Sequence, residues 1–355
     1  MKKYIGLQDM SHVNCSSVLR VIQAHGEISR KQISDITGLS WGGMTKIVNK
    51  LLAKEYITEE KSEVPGGTGR IPGMLSIRRD RHLVAGVDVN RTGLSAYVTD
   101  LSGDIKRQYF GENLFRDKEE LLDNILCFIQ RIFQDFGDEE IVAAGIAMQG
   151  GIHGENGVSV NFPGCGDWSD VPLIEILKER FHTEFYLEHD PDCMLCSETV
   201  WADGAHVILF RIDRSIGMAV SLNGTILRGN GILEVAHSIV VPGGKRCRCG
   251  LDGCLEAYIE PCVREGQING KAVEEMIRPL AVTIHNMICL FHADIVILAG
   301  DLMKYASLFE EKLLWELRRM GNGKKTEIRF QDDTKSAVRG AALIAARHAV
   351  DSLRL

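Results

Sequence analysis

The stretch Leu83-Val84-Ala85-Gly86-Val87-Asp88-Val89 marks the point where the pattern of the chain changes. Before it, apolar residues recur at helical spacing, whereas after it short apolar strands alternate with amphipathic helices, as in α/β proteins. Residues 93–100 and 141–147 predict further strands, with a helix between them at 118–136. The alternation continues to a helix at 337–350. We therefore predict an α/β body of two lobes after residue 80.

These patterns divide the chain into a small domain and a larger one. Residues 1–80 form the first domain and residues 81–355 the second. Within the second, we place one lobe at about 81–185, another at about 186–335, and a closing helix at 336–353 that returns to the first lobe. A chain of 355 residues is long enough for this division, because single cores rarely grow beyond about 250–300 residues.

Composition and cysteine usage exclude several classes of protein. Hydrophobic residues make up 45% and charged residues 25% of the chain, as in average globular proteins. No apolar run reaches the length of a membrane span, and a signal-peptide core is absent from the sequence start. Three of the ten cysteines fall within eight positions, which favours a metal site in a reducing compartment over a disulfide scaffold. We expect a cytoplasmic protein without a membrane partner.

Charge is distributed unevenly along the chain. Residues 1–80 hold 12 Lys and Arg against 8 Asp and Glu, a net charge of +4. Residues 81–355 hold 29 against 40, a net charge of −11. A basic domain joined to an acidic one is typical of a nucleic-acid-binding module attached to a body that does not bind nucleic acid.

Residues 18–52 carry the spacing of a helix-turn-helix. Apolar side chains at 18, 19, 21 and 22 predict a first helix that ends at Gly26. A second helix begins behind Ser29 as N-cap and breaks at Thr37-Gly38-Leu39. A third begins behind Ser40 and carries its apolar face on Met44, Ile47, Val48, Leu51 and Leu52.

The polar face of the third predicted helix suits the major groove of DNA. Residues 57–58 and 74–77 then predict two strands joined by a turn at 65–70, a wing with a basic tip. The candidate DNA contacts are Ser40, Trp41, Thr45, Lys46, Asn49, Lys50 and, from the wing, Arg70. Two alternatives remain open, a plain three-helix bundle with a solvated polar face, and a flexible linker from Gly66 to Gly73 in place of the wing.

The densest chemistry in the chain is a possible metal site. His237, Cys247, Cys249 and Cys254 supply one imidazole and three thiolates, a complete tetrahedral set for structural zinc, among glycines that allow tight turns. The alternative is a set of free surface cysteines. Cys193 and Cys196 match no redox pattern, and we place them on a buried helix face.

Several motifs resemble those of the ROK family of repressors and sugar kinases. The resemblance spans nearly the whole chain and implies a two-lobed ribonuclease-H-like (actin/hexokinase-like) ATPase fold, here preceded by a winged helix-turn-helix like that of the repressor branch. The motifs are Asn161-Phe-Pro-Gly, Glu188-His-Asp190, Glu234-Val-Ala-His237, Cys247-Arg-Cys-Gly-Leu-Asp-Gly-Cys254-Leu-Glu256-Ala and Ala337-Val-Arg-Gly-Ala-Ala.

The resemblance also implies a sugar site between the lobes. Carboxylates, an amide and an imidazole in such a cleft discriminate sugars through paired hydrogen bonds. In a working kinase Asp190 would be the general base that takes the proton of the attacking hydroxyl. His189 and Asp192 depart from the family pattern Glu-Asn-Asp-x-Asn, and a short stretch after Glu256 puts the family's dimer helices in doubt. The implied sugar ligands are Asn161, Asp190, Glu234, His237 and Glu256.

The nucleotide side departs further from the kinases. Where they place Gly-Gly-Thr after the first strand's acid, this chain has Asn90-Arg91-Thr92 behind Asp88. The second phosphate loop keeps one glycine and contains Asp213, and the adenosine-side Gly-Gly-Gly has become Ala299-Gly300-Asp301. Side chains and negative charges at these places oppose phosphate binding, so we expect no ATP cofactor and no catalytic residue.

These observations together predict a DNA-binding transcriptional regulator of sugar metabolism, a repressor, with a sugar or sugar derivative as effector. We expect a homodimer or higher homo-oligomer on a palindromic operator of double-stranded DNA. One alternative is an active ATP-dependent sugar kinase with an appended DNA-binding domain. Another is a regulator whose body has lost sugar binding and only forms dimers.

Overall fold

A computed structural model describes residues 7–61, 73–136, 141–199, 204–213, 215–228, 233–264, 267–321, 326–332 and 335–353. The chain forms two compact units. The first unit comprises residues 1–146, 162–187 and 341–355, and the second comprises residues 147–161 and 188–340. Among the described residues no helix combines the length and the apolar character that crossing a membrane would require.

The N-terminal part of the first unit is a winged helix. Its elements are α1 (Leu7–His25), β1 (Ile28–Ser29), α2 (Arg30–Thr37), α3 (Trp41–Ala53), β2 (Ile57–Lys61) and β3 (Gly73–Ile77), with sheet order β1-β3-β2. Ser29 caps α2 in a reciprocal capping box with Gln32, and Ser40 caps α3. Gly38 takes the left-handed conformation that ends α2. The predicted helix-turn-helix and the antiparallel wing strands are confirmed, while Arg70 and the wing turn lie outside the described residues.

The first unit continues as an α/β layer. A five-stranded sheet has the order β10-β7-β4-β5-β6. The elements along this part of the chain are β4 (Leu83–Asn90), β5 (Gly93–Thr99), β6 (Ile105–Glu112), α4 (Lys118–Phe136), β7 (Ile141–Met148), β8 (Ile152–His153), β9 (Val158–Ser159), α5 (Leu173–Phe181) and β10 (Glu184–His189). Of these, β8, β9 and the last two residues of both β7 and β10 belong to the second unit. The predicted strands and the helix at 118–136 are confirmed.

The second unit repeats this arrangement with a sheet of order β13-β12-β11-β16-β17. In both sheets an antiparallel meander of three strands is extended by two strands that follow later in the chain. The elements are α6 (Asp190–Thr199), β11 (Val207–Ile212), β12 (Ile216–Leu222), β13 (Thr225–Ile226), α7 (Glu256–Ile259), β14 (Val263–Arg264), β15 (Gln267–Ile268), α8 (Gly270–Phe291), β16 (Ile295–Ala299), α9 (Glu310–Arg319), β17 (Glu327–Gln331) and the start of α10 (Ser336–Asp351). The residues of α10 from Ala341 onward belong to the first unit. The expected two-sheet α/β fold is confirmed.

The winged helix shares its hydrophobic core with the end of α10. Leu19, Ile22 and Leu51 belong to one buried cluster with Ala346 and Val350. The Ser16 hydroxyl donates a hydrogen bond of 2.8 Å to the carbonyl oxygen of Val350. Arg20 pairs with Asp351 at the edge of this cluster. The winged helix is therefore packed against α10 and is not suspended on a free linker.

Candidate functional site

The third helix of the winged helix presents most of the predicted DNA contacts to solvent. Ser40, Trp41, Lys46 and Asn49 are exposed, Trp41 by 59%. Lys50 is half-buried. The Thr45 hydroxyl oxygen is buried and has no hydrogen-bond partner among the described residues, so it does not join the exposed face.

Gly42 on α3 has no packing reason to be a glycine. A Cβ atom built on it would meet nothing within 4 Å, and its φ is not in the left-handed region. Glycine within a helix costs up to about 1 kcal/mol relative to alanine. The missing side chain instead leaves open surface next to the exposed indole of Trp41. This part of α3 is suited to close approach by another molecule.

One cluster of potential metal ligands occurs among the described residues. One ligand atom from each of His237, Cys247, Cys249 and Cys254 lies within 4.8 Å of the others. The Sγ atoms of Cys249 and Cys254 are 3.6 Å apart, and Cys247 Sγ is 3.7 Å from His237 Nδ1. A tetrahedron with metal–sulfur bonds of about 2.3 Å has edges of about 3.8 Å, so the donor set is compatible with a metal ion.

The environment of these thiols determines their protonation. Burial raises the pKa of the Cys247 thiol and raises that of Cys254 to about 12. A backbone N–H group from Leu251 lowers the pKa of Cys249. Two of the three thiols therefore keep their protons near neutral pH unless a metal ion displaces them.

The metal-ligand loop adjoins a buried carboxylate. Glu256 is buried at the start of α7, and its Oε2 lies 3.7 Å from His237 Nδ1. Arg248, between two of the cysteines, donates to both Glu256 oxygens, at 3.0 and 2.6 Å. Glu234 is exposed and precedes the short 3-10 helix Val235–His237. Of the five predicted sugar ligands, direct contacts join His237 and Glu256.

Asp190 belongs to a different cluster, centred on Arg211 of β11. The Arg211 guanidinium pairs with the buried Asp190 carboxylate and donates from Nε to Asp213 at 2.8 Å. The other oxygen of Asp213 accepts the backbone N–H of Asp301 at 2.7 Å. Burial raises the pKa of Asp190 to about 6 against the opposing charge of Arg211, and burial lowers the pKa of His189 to about 3, so this imidazole is neutral.

In the turn after β4 the Asn90 side chain accepts backbone N–H groups, as Asp213 does near Asp301. The Asn90 amide oxygen accepts the backbone N–H groups of Thr92 and Gly93, each at 3.0 Å, and the Thr92 hydroxyl at 2.8 Å. The Asn90 amide nitrogen donates to Asp88 at 3.0 Å. Asn161, the remaining predicted sugar ligand, is exposed and accepts the Gly151 N–H at 3.1 Å.

Sequence reasoning did not single out Arg211 or Arg248. Arg211 is the one charged residue in the apolar strand Val207–Ile212, and this exception was the available signal. Arg248 lies between two candidate metal ligands, and nothing in the local pattern shows that it pairs with Glu256.

Comparisons with known proteins give consistent results. A model described as the ROK family matches residues 84–261, and one described as the MarR family matches residues 6–66. The chain is 26% identical over 291 residues to the DNA-binding transcriptional repressor Mlc of Escherichia coli (strain K12), covering 79% of this chain and 72% of that protein. It is 22% identical over 348 residues to a xylose repressor of Caldicellulosiruptor bescii, covering 86% of this chain and 87% of that protein.

Solved structures share the fold. A ROK family transcriptional regulator, a homologue of the E. coli Mlc protein, superposes with a TM-score of 0.80 at 19% identity, covering 96% of this chain and 97% of that chain. A ROK family glucokinase from Streptomyces griseus, in complex with glucose and AMPPNP, superposes with a TM-score of 0.61 at 21% identity, covering 74% and 99%.

The Asp192 carboxylate allows a test of the site's electrostatics. Burial, together with the nearby charge of Glu188, raises its pKa to about 7. Between the ordinary aspartate pKa of 3.8 and this raised pKa, the folded protein holds a proton that the unfolded chain has released, so stability falls as pH rises through this window. Asp192→Asn should therefore stabilise the protein more at pH 8 than at pH 5 in urea unfolding. Glu179→Gln, which removes an exposed carboxylate, is the control, and a pH-independent difference for Asp192→Asn would contradict the assignment.

Proposed function

The chain belongs to the ROK family, and on that premise we propose that it is a DNA-binding transcriptional regulator of sugar metabolism, a repressor, with a sugar effector and no kinase activity. The winged helix is the DNA-binding part, and relatives named as a DNA-binding transcriptional repressor and a xylose repressor match most of the chain. The residues described above suggest why a body that resembles a sugar kinase would bind sugar without phosphorylating it.

The bonding of two loops supports the proposal that the protein has no kinase activity. Backbone N–H groups that a phosphate would need are already bonded to this chain's own side chains. Asn90 accepts two of them after β4, and Asp213 accepts that of Asp301. An ATP phosphate would have to displace these acceptors, and the Asp213 carboxylate would repel it.

The Asp190 cluster adds a second obstacle to phosphoryl transfer. A general base must take a proton from the attacking hydroxyl. Arg211 is bonded to one oxygen of Asp190 and occupies an acceptor that the attacking hydroxyl would use, even though burial raises the pKa of this carboxyl to about 6. In our proposal Asp190 serves as a contact for a sugar hydroxyl, together with Asn161, Glu234, His237 and Glu256.

We assign a structural zinc ion to the cysteine cluster. Cys247, Cys249, Cys254 and Nδ1 of His237 would hold it, since three thiolates and one imidazole form a closed zinc site. The ion would fix the short loop that carries His237 and Glu256, leaving Nε2 of His237 available to the effector. Zinc would thus organise one side of the sugar site.

Effector binding would act on DNA binding through a two-state equilibrium. A sugar that binds one state of the body more tightly shifts the population by that difference in affinity. The core shared by α1 and the end of α10 gives the winged helix a rigid attachment to the first unit. We propose a homodimer that places two winged helices on an inverted repeat.

Lys46→Gln tests the DNA-binding surface. We expect about three- to tenfold weaker binding to operator DNA at physiological salt, and a salt slope smaller by about one, because one phosphate contact is lost. Fluorescence anisotropy across a salt series measures both, with the exposed Lys271→Gln of the second unit as the charge-matched control. Footprinting that finds no protected inverted repeat would refute the proposal.

Gly42→Ala tests the same surface by adding a methyl group, whereas Lys46→Gln removes a charge. The added Cβ meets nothing in the protein, so the variant should be as stable as the wild type or more stable by up to about 1 kcal/mol. Its DNA affinity should fall, because the methyl group occupies space that the nucleic acid needs. An unchanged affinity would show that Gly42 lies away from the DNA.

Another prediction concerns the effector. Calorimetry with a panel of aldoses and their derivatives should detect one sugar, and calorimetry with MgATP should detect no binding. Glu234→Ala should abolish the sugar's effect on DNA binding while the unliganded variant stays on its operator, and Glu155→Ala is the exposed-acid control. ATP turnover that depends on sugar and on Asp190 would establish the kinase alternative, and heat from no sugar would refute the effector site.

Elemental analysis should find about one equivalent of zinc per chain, because the four-ligand site is closed. Cys249→Ser should lose the zinc and weaken sugar binding, since the loop also carries His237. The exposed Cys127→Ser is the control and should keep both. A folded, sugar-responsive wild type without metal would exclude the site.

A further inference from the structure

Three polar side chains connect the wing, α2 and α3 of the winged helix. Glu59 lies on β2, Arg30 opens α2, and Asn49 lies on the exposed face of α3. Arg30 Nε and Nη2 donate to the two Glu59 oxygens at 3.0 and 2.7 Å. Such a two-point pair fixes the plane of the guanidinium group.

The neighbouring strand β3 leaves room for the Glu59 side chain. Gly73 on β3 leaves the space that the Glu59 side chain occupies, and a Cβ atom on Gly73 would lie 2.6 Å from Glu59 Oε1. The Arg30 side chain is only 19% exposed. Arg30 is therefore a positioning residue and not a group free to reach DNA.

The remaining terminal nitrogen of Arg30 orients Asn49. Nη1 donates to the Asn49 amide at 3.2 Å. Arginine has only donors, so the amide atom that faces it must be the oxygen. The Asn49 NH2 group then points away from Arg30, on the face that also exposes Lys46.

This orientation bears on which base Asn49 can read. A free asparagine in the major groove pairs with adenine through both amide atoms, accepting from N6 and donating to N7. With its oxygen turned to Arg30, Asn49 presents its NH2 donors to the groove. Adenine N7 can accept one of them, but the N6–H2 group beside it then faces a donor in place of the amide oxygen. Cytosine N4 offers only a donor, and facing donors lose their hydrogen bonds on desolvation. Guanine offers N7 and O6, and thymine offers O4, as acceptors.

We propose that Asn49, held by Arg30 and Glu59, selects guanine or thymine over adenine and cytosine at one position of each operator half-site. This inference rests on the proposed DNA-binding function and adds the base class that α3 recognises. Lys46, which has no such constraint on its ammonium group, is left to contact phosphate.

The experiment is selection of sites from randomised duplex DNA by the full chain, followed by affinities for all four bases at each selected position. In the wild type one position should favour guanine or thymine. Asn49→Ala should reduce that preference about tenfold and leave the other positions unchanged. Because Asn49 is exposed, this variant tests the idea without disturbing the core.

Arg30→Met removes the donors and keeps a long side chain. It frees the Asn49 oxygen, so adenine should gain about tenfold relative to guanine at the same position. Lys31→Met, which removes the adjacent exposed charge, should leave every preference unchanged. A loss of overall affinity without this change of base would indicate a merely structural role for Arg30 and overturn the proposal.

The results distinguish failure of the regulator function from failure of the base preference proposed for Asn49. If the wild type selects no sequence, the regulator function fails, and this inference fails with it. If it selects a site but Asn49→Ala alters no position, or if the Asn49-dependent position holds adenine or cytosine, the regulator stands and the inference is wrong.

Discussion

A carboxylate buried away from water needs a partner, and in the second unit Arg211 is that partner for two of them. It joins Asp190 at the start of α6 to Asp213 beyond β11, and Asp213 in turn receives the N–H of Asp301 after β16. Three elements are therefore fixed by one guanidinium group. The same group offsets part of the negative charge of the two neighbouring carboxylates, Asp190 and Asp213.

Two loops of the α/β body are closed by bonds within the chain. The Asn90 side chain accepts the N–H groups of Thr92 and Gly93 after β4, and Asp213 accepts that of Asp301 after β16. The two loops follow strands of different sheets, so a change of one of these side chains leaves the bonds of the other in place. These backbone donors are therefore satisfied by the chain's own side chains.

Features that depend on neighbouring residues were predictable from the sequence, and features that depend on distant ones were not. Ser29, Gly38 and Ser40 cap helices through bonds within a few positions, and the cysteine ligands fall in one short loop. The pairing of Arg30 with Glu59 joins residues 29 positions apart, and that of Arg211 with Asp190 joins residues 21 apart. The sequence shows such residues as isolated charges, and the fold alone decides which of them meet.

The bond between Ser16 and the carbonyl of Val350 spans 334 positions. The winged helix leaves the ribosome well before α10, yet Ala346 and Val350 of that helix complete its core. Translation at about 5–20 residues per second separates the two by tens of seconds. During synthesis the nascent winged helix is therefore an unfinished domain with part of its apolar surface uncovered. Its final packing is coupled to completion of the body, so a chain interrupted before α10 would lack a fully formed DNA-binding domain.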